Sequence, residues 1–167
     1  RNLPSKKWGT TGQGVDDTRR IINSLYLDPV LLEKHNIKLQ EKYQLITNVE
    51  TRYETIGLTD CEYVIVAFGT MARICRSAIS LLAQQGIRVG MIRPITIWPF
   101  PTKAFDLVPS SIKGILVAEL NMGQMIQDVL IGNQGRFPIG FFGRAGGMLP
   151  EPEEIVEAIV HFKKVGD

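Results

Sequence analysis

Tyr63-Val64-Ile65-Val66-Ala67-Phe68-Gly69-Thr70 decides the fold, because six apolar residues run without a polar interruption and stop at a glycine. A strand with one wet face alternates apolar and polar side chains, whereas an unbroken apolar run belongs to a strand with helices on both faces. The residues that follow agree. Ile74, Ala78, Ile79 and Leu82 recur at helical spacing from about Met71 to Gln85, with Gly86 at the exit. Ile87 to Ile92 is a second apolar run. Strand, helix, strand is the unit that builds parallel sheet.

Downstream the alternation repeats. Lys113-Gly114 introduces the apolar strand Ile115 to Glu119, a turn at Leu120-Asn121 follows, and a helix is predicted from about Met122 to Ile131, closed by Gly132. A short strand near Ile139 to Phe142, the loop Gly143-Arg144-Ala145-Gly146-Gly147 and a helix from about Pro152 to Lys164 complete the chain. Glu151, Glu153 and Glu154 at its start and Lys163 and Lys164 at its end complement that helix's dipole. Upstream, Val49 to Ile56 alternates strand formers with Glu50, Arg52 and Glu54, as an edge strand does. Before it, Asp28 can cap a helix that opens on Pro29, with Leu32, Leu39, Tyr43 and Ile46 on one apolar stripe. The expected architecture is a three-layer α/β/α sandwich around a mainly parallel sheet over residues 48–167. Residues 1–47 are read as a linker and amphipathic helix.

The 167 residues carry 19 Lys plus Arg against 17 Asp plus Glu, a net charge of +2 spread along the chain, and 44% hydrophobic residues. A domain of this size buries about 70% of its unfolded surface, enough for a core without metal or disulfide staples. No basic run points to nucleic acid, and no apolar stretch approaches the roughly 18 residues that span a bilayer. Cys61 and Cys75 form no CxxC pair, which argues against zinc, iron–sulfur clusters or a secreted disulfide framework and fits a reducing cytoplasm. The chain begins at Arg1 in a polar Gly-, Thr- and Lys-rich stretch, read as a cut inside a longer polypeptide.

In open α/β sheets ligands gather at the carboxyl ends of the strands where strand order reverses. Gly69-Thr70 there is either a tight turn or an anion cradle of free amides, without GxGxxG or a GxxxxGK[ST] loop. Arg144 in its glycine-rich loop offers a guanidinium. Glu119, Asn121 and Gln124 sit at a strand end and first helical turn, where a carboxylate can serve as acid or base. The structural alternative is that Asn121 caps the helix and Glu119 accepts backbone amides or an interface partner. His35 and His161 have no carboxylate or serine partner in the pattern and are read as surface or helix-dipole-stabilising residues, so no catalytic or metal-ligating set emerges. Arg93 leads into Pro94-Ile95-Thr96-Ile97-Trp98-Pro99-Phe100-Pro101, a stiff apolar arm whose Trp98 and Phe100 either dock on another surface or fold back on their own domain.

Three segments together, Val66 to Thr70, Gly90 to Pro101 and Glu119-Leu120-Asn121-Met122-Gly123-Gln124, resemble the C-terminal, transketolase-C-terminal-like domain of the α chains of 2-oxoacid:ferredoxin oxidoreductases. Ile22 to Pro29 and Lys42-Tyr43 extend the resemblance upstream, toward the branched-chain 2-oxoisovalerate members. The resemblance implies a five-stranded sheet with one antiparallel edge strand, and the strands from Tyr63 and Ile115 side by side at the reversal. It also implies an enzyme that oxidatively decarboxylates a 2-oxo acid to an acyl-CoA and reduces ferredoxin. Thiamine diphosphate, magnesium, iron–sulfur clusters and CoA would then be bound by other parts: the rest of the α chain, a pyrophosphate-domain subunit and an iron–sulfur subunit. No catalytic residue of the family has a matching position here, and none of these cofactors is expected on this chain.

Overall fold

The computed structural model describes residues 2–4, 6, 9, 12, 14, 18, 21 and 24–166, the side chains of 163–166 excepted. Lys163 and Lys164, expected to complement a helix dipole, therefore lie outside the described side chains. The chain divides into two units, Arg1–Tyr43 and Gln44–Asp167.

Helix α1 (Pro29–Glu50) opens as the sequence predicts, with Asp28 Oδ1 accepting from the Val30 amide at 2.8 Å and from that of Leu31 at 3.3 Å. It does not sort its apolar residues onto one stripe. Val30, Leu31, Ile37, Leu45 and Val49 are exposed on other sides of the helix, and none of its residues is buried. The helix also absorbs Val49 and Glu50, expected in the edge strand, which is shortened to β1 (Tyr53–Ile56).

β1 pairs antiparallel with β3 (Val89–Pro94), and β2 (Tyr63–Val66) lies parallel between β3 and β4 (Gly114–Glu119), which is followed by β5 (Ile139–Gly143). The sheet order is β1-β3-β2-β4-β5. The antiparallel edge strand and the β2/β4 neighbours at the reversal are as expected. The second apolar run reaches Pro94 rather than ending at Ile92, because Arg93 and Pro94 still pair with Glu54 and Tyr53.

Both faces of the central strands are covered, the physical reason for their unbroken apolar character. On one face Tyr63, Ile65, Ala67, Met91, Leu116 and Ala118 pack with Met71, Ala72, Cys75, Ala78 and Leu82 of α2 (Gly69–Gln84) and with Ile155 and Ile159 of α4 (Pro152–Gly166). On the other, Val64, Val66, Ile92, Ile115 and Val117 meet Met125 and Val129 of α3 (Met125–Asn133) together with Phe105. Phe105 belongs to a 3-10 helix over Thr102–Leu107 that the sequence pattern does not show. Burial of these aliphatic side chains contributes roughly 1.5–3 kcal/mol each to folding. Gly132 does not close α3. It lies inside the helix, where a Cβ would fall 2.8 Å from the Phe105 ring, and the helix ends at Asn133 with Gln134 in the left-handed region at φ 52.

Candidate functional site

The carboxyl ends of β2 and β4 lie side by side, since Val66 is in register with Val117, so the loops after them share one end of the sheet. Glu119, the last residue of β4, is 1% exposed, a burial that an ionised carboxylate tolerates only with dense hydrogen bonding. It has that bonding. Oε2 accepts from the Met125 amide at 2.8 Å, the Gln124 amide at 3.3 Å and Asn121 Nδ2 at 3.0 Å, while Oε1 accepts from the Ile126 amide at 3.0 Å. Asn121 Oδ1 takes the Gly123 amide at 2.8 Å and shares that of Gln124 at 3.1 Å.

The first turn of a helix presents free amides and a partial positive charge, which anions ordinarily occupy. Here that place is filled from within the chain: the carboxylate ending β4 is the anion at the start of α3. The helix consequently starts at Met125, three residues beyond the expected Met122, because the loop must pass over the carboxylate before the helix begins. Of the two sequence readings of Glu119 and Asn121, the structural one describes what their atoms do. Gln124 contributes its backbone, flanking α3 with no side-chain cap bond.

Gly69 and Thr70 open α2 after Phe68, which provides no side-chain cap, and Gly69 adopts φ +57. Arg144 does not face them with an unengaged guanidinium. It is ion-paired with Glu154, stacked 5.9 Å over Phe142, and its amide donates to the Glu119 carbonyl at 3.1 Å. Glu154 is held in turn at the start of α4, where its Oε1 accepts the Glu151 amide at 3.0 Å in the manner of a capping box.

The arm after β3 divides. Phe100 turns inward, its ring 6.2 Å from that of Phe105, and packs against the core. Trp98 is 61% exposed, next to a cis bond to Pro99, and Ile95 and Ile97 are exposed with it. Thr96 fixes the turn: its Oγ1 donates to the Pro99 carbonyl at 3.0 Å and accepts the Arg52 amide at 3.0 Å. Arg93 is used inside the domain, donating to Glu54 Oε2 at 2.9 Å while Arg76 donates to Oε1 at 2.7 Å. These two guanidinium partners hold the Glu54 carboxyl below its ordinary value of 4.5. Sequence reasoning misses this three-residue cluster, because the β1/β3 register and the reach of α2 are not visible in a linear pattern.

Cys61 and Cys75 are free, buried and on opposite faces of the sheet. Desolvation pushes both thiols up, Cys75 to about 12. Among the described residues no three His, Cys, Asp or Glu side chains gather as a metal-ligand set, and the carboxylate at the switch point is committed to α3. These residues do not fit a pyrophosphate-bound magnesium or an iron–sulfur cluster. His35 stacks on Tyr26 with centroids 4.7 Å apart.

Fold and site together define a three-layer, transketolase-like α/β domain whose switch point is closed by its own carboxylate. Residues 61–155 match the family described as pyruvate:ferredoxin oxidoreductase core domain II, and the chain belongs to that family. It is 34% identical over 156 residues to the ketoisovalerate oxidoreductase subunit VorB of Methanothermobacter thermautotrophicus, a match covering 93% of this chain and 44% of that protein. The 2-oxoglutarate synthase subunit KorA of Methanocaldococcus jannaschii is 32% identical over 101 residues, 60% of this chain and 27% of the relative. The chain thus spans less than half the length of these curated relatives. The solved 2-oxoglutarate:ferredoxin oxidoreductase from Magnetococcus marinus has the same fold, with a TM-score of 0.69 at 20% identity over 89% of this chain and 27% of that one. An inactive tetramer of a split-gene transketolase follows with a TM-score of 0.57 at 15% identity, over 70% of this chain and 42% of that one.

Proposed function

We propose that this chain is the C-terminal domain of the α subunit of a thiamine-diphosphate-dependent 2-oxoacid:ferredoxin oxidoreductase, and that it serves assembly rather than turnover. In the reaction a 2-oxo acid, 2-oxoisovalerate by the names of two relatives 34% and 33% identical to this chain, loses its carboxylate as carbon dioxide. The remaining acyl group passes to the thiol of CoA, and an electron pair leaves for ferredoxin. Partners supplying the thiamine site and the clusters are the remainder of the α chain and the pyrophosphate-domain and iron–sulfur subunits. The setting is the cytoplasm; among the described residues no helix is long and apolar enough to cross a membrane.

The observation that carries the assembly reading is the buried Glu119 carboxylate, which fills the place where a ligand would sit in this fold. The exposed Ile95, Ile97 and Trp98 supply apolar surface suited to a protein contact. A free-standing module for nucleotides or small anions, built on Gly69, Thr70 and Arg144, is disfavoured because Arg144 is paired with Glu154.

The test combines the chain with a separately produced pyrimidine-domain fragment and the partner subunits. Association and 2-oxoisovalerate-dependent ferredoxin reduction are then measured. Trp98→Ala is expected to weaken association without changing the chain's own stability, and the chain alone is expected to be inert. Thiamine-dependent ferredoxin reduction by the chain alone would overturn the reading. Association indifferent to Trp98→Ala would remove the arm from the interface, and a preference of the assembled enzyme for 2-oxoglutarate would overturn the substrate.

A further inference from the structure

The face of the sheet under α2 carries a concentration of arginine that the assembly reading does not use. Arg93 of β3 stands opposite Glu54 of β1 in the antiparallel register, and Arg76 reaches the same carboxylate from α2. Arg73, one turn earlier on α2, lines the same cavity as Arg76, Arg93 and Ala72, and has no ion pair among the described residues. Arg76 and Arg93 thus share one carboxylate while Arg73 lines the cavity beside them with no such partner, and the three guanidinium groups with that carboxylate carry a net charge of two positive units. Each guanidinium has five N–H donors in a planar fork, and the bonds to Glu54 use one from Arg76 and one from Arg93.

Arg73 and Arg76 are the fifth and eighth residues of α2, beyond its first turn, so the positive charge facing the cavity comes from the guanidinium groups themselves and not from the helix terminus.

We propose that this cavity binds a phosphate group, held by Arg73, Arg76 and Arg93 with Glu54 as the fixed carboxylate that spaces the last two. A phosphate group carries about −1.5 to −2 at neutral pH, which matches the local excess, and its oxygens suit the arginine fork. The cavity volume of about 200 Å³ admits such a group but not a whole nucleotide, since drug-sized ligands take roughly 300–1,000 Å³. Any larger compound would lie outside with only its phosphate inserted.

The experiment uses the full chain, with the Arg73 and Arg76 Nε–H resonances followed by NMR while inorganic phosphate or ADP is added at constant ionic strength set with chloride. Saturable shifts of both resonances are expected for phosphate and not for chloride. Arg73→Gln, which breaks no ion pair within the described domain, is expected to weaken binding about tenfold, as expected for one charge-assisted hydrogen bond removed. Arg76→Gln should weaken it at least as much, with folding checked by circular dichroism, and Arg136→Gln should leave it unchanged. Tighter binding of ADP with the same arginine dependence identifies an esterified phosphate as the occupant, and tighter binding of inorganic phosphate identifies the free ion. Responses to phosphate no larger than to chloride, or binding indifferent to Arg73→Gln, would overturn the proposal.

Discussion

Replacing Glu119 by Gln removes the charge at the start of α3 and keeps the volume. The carboxylate accepts three backbone amides and the Asn121 amide group, all four hydrogen bonds being charge-assisted. A hydrogen bond to a charged group contributes about 1.5–3 kcal/mol against about 1 kcal/mol for a neutral one. The helix dipole adds up to ~2 kcal/mol at a partly buried terminus. A glutamine presents one oxygen and one NH₂, and the NH₂ can bond to none of the amide donors. At least one of the four hydrogen bonds is then lost and the others fall to neutral strength, which together with the dipole interaction gives a destabilisation of at least about 3–4 kcal/mol. That is a large fraction of the roughly 5–15 kcal/mol that holds an ordinary domain together. Glu119→Ala should cost more, because it leaves the same amides buried and unpaired. The measurement is equilibrium urea unfolding of the full chain, reading the midpoint at constant slope. A residue kept for ligand chemistry behaves oppositely, since its removal commonly leaves stability unchanged or raises it. A destabilisation below about 1 kcal/mol for Glu119→Gln would refute the structural assignment of this carboxylate.

Three further outcomes follow from the geometry. Gly132→Ala sets a helix-propensity gain of about 1 kcal/mol against a methyl placed 2.8 Å from the fully buried Phe105 ring, and overpacking wins, so net destabilisation of about 1–2 kcal/mol is expected by urea unfolding. Cys75, buried and pushed up to about 12, should resist a thiol reagent at about pH 8 in the folded chain and react on unfolding; fast reaction in the native state would contradict its burial. Glu54 should titrate by NMR below 4.5, and its contribution to stability, present above that value, should fall away as the pH drops through its lowered midpoint; Arg93→Gln should move the midpoint back up.

The central sheet is legible in the sequence because a strand covered on both faces cannot hide its composition: β2 and β4 read as apolar runs and are buried throughout. Turns and ends are less legible, each for a local reason. Val49 has strand propensity, but hydrogen bonding along α1 carries the helix to Glu50, with Thr51 Oγ1 donating to the Thr47 carbonyl at 2.7 Å beyond it. Gly132 looks like a stop signal, yet its lack of a side chain serves Phe105, a neighbour 27 positions distant in sequence and invisible to any short window. The 3-10 helix carrying Phe105 follows a proline-rich stretch and has too few residues for a period to show. At the switch point the residues Glu119 and Asn121 are legible as a pair. Which of acid, ligand contact or cap they are depends on where the α3 amides lie, and only the path of the loop decides that. In the arm, spacing cannot separate Phe100, packed on Phe105, from Trp98, left at the surface.

A dissociable ligand stabilises a fold only by mass action, in proportion to the logarithm of its concentration over its dissociation constant. The carboxylate at the start of α3 is under no such control. Tethered six residues before the amide it binds most closely, it is present at an effective concentration set by the chain itself and never diluted. The join between β4 and α3 therefore stays the same through feast and starvation, whatever the level of any circulating metabolite. Whatever surface packs against this join meets a geometry that does not drift with the concentration of a dissociable ligand.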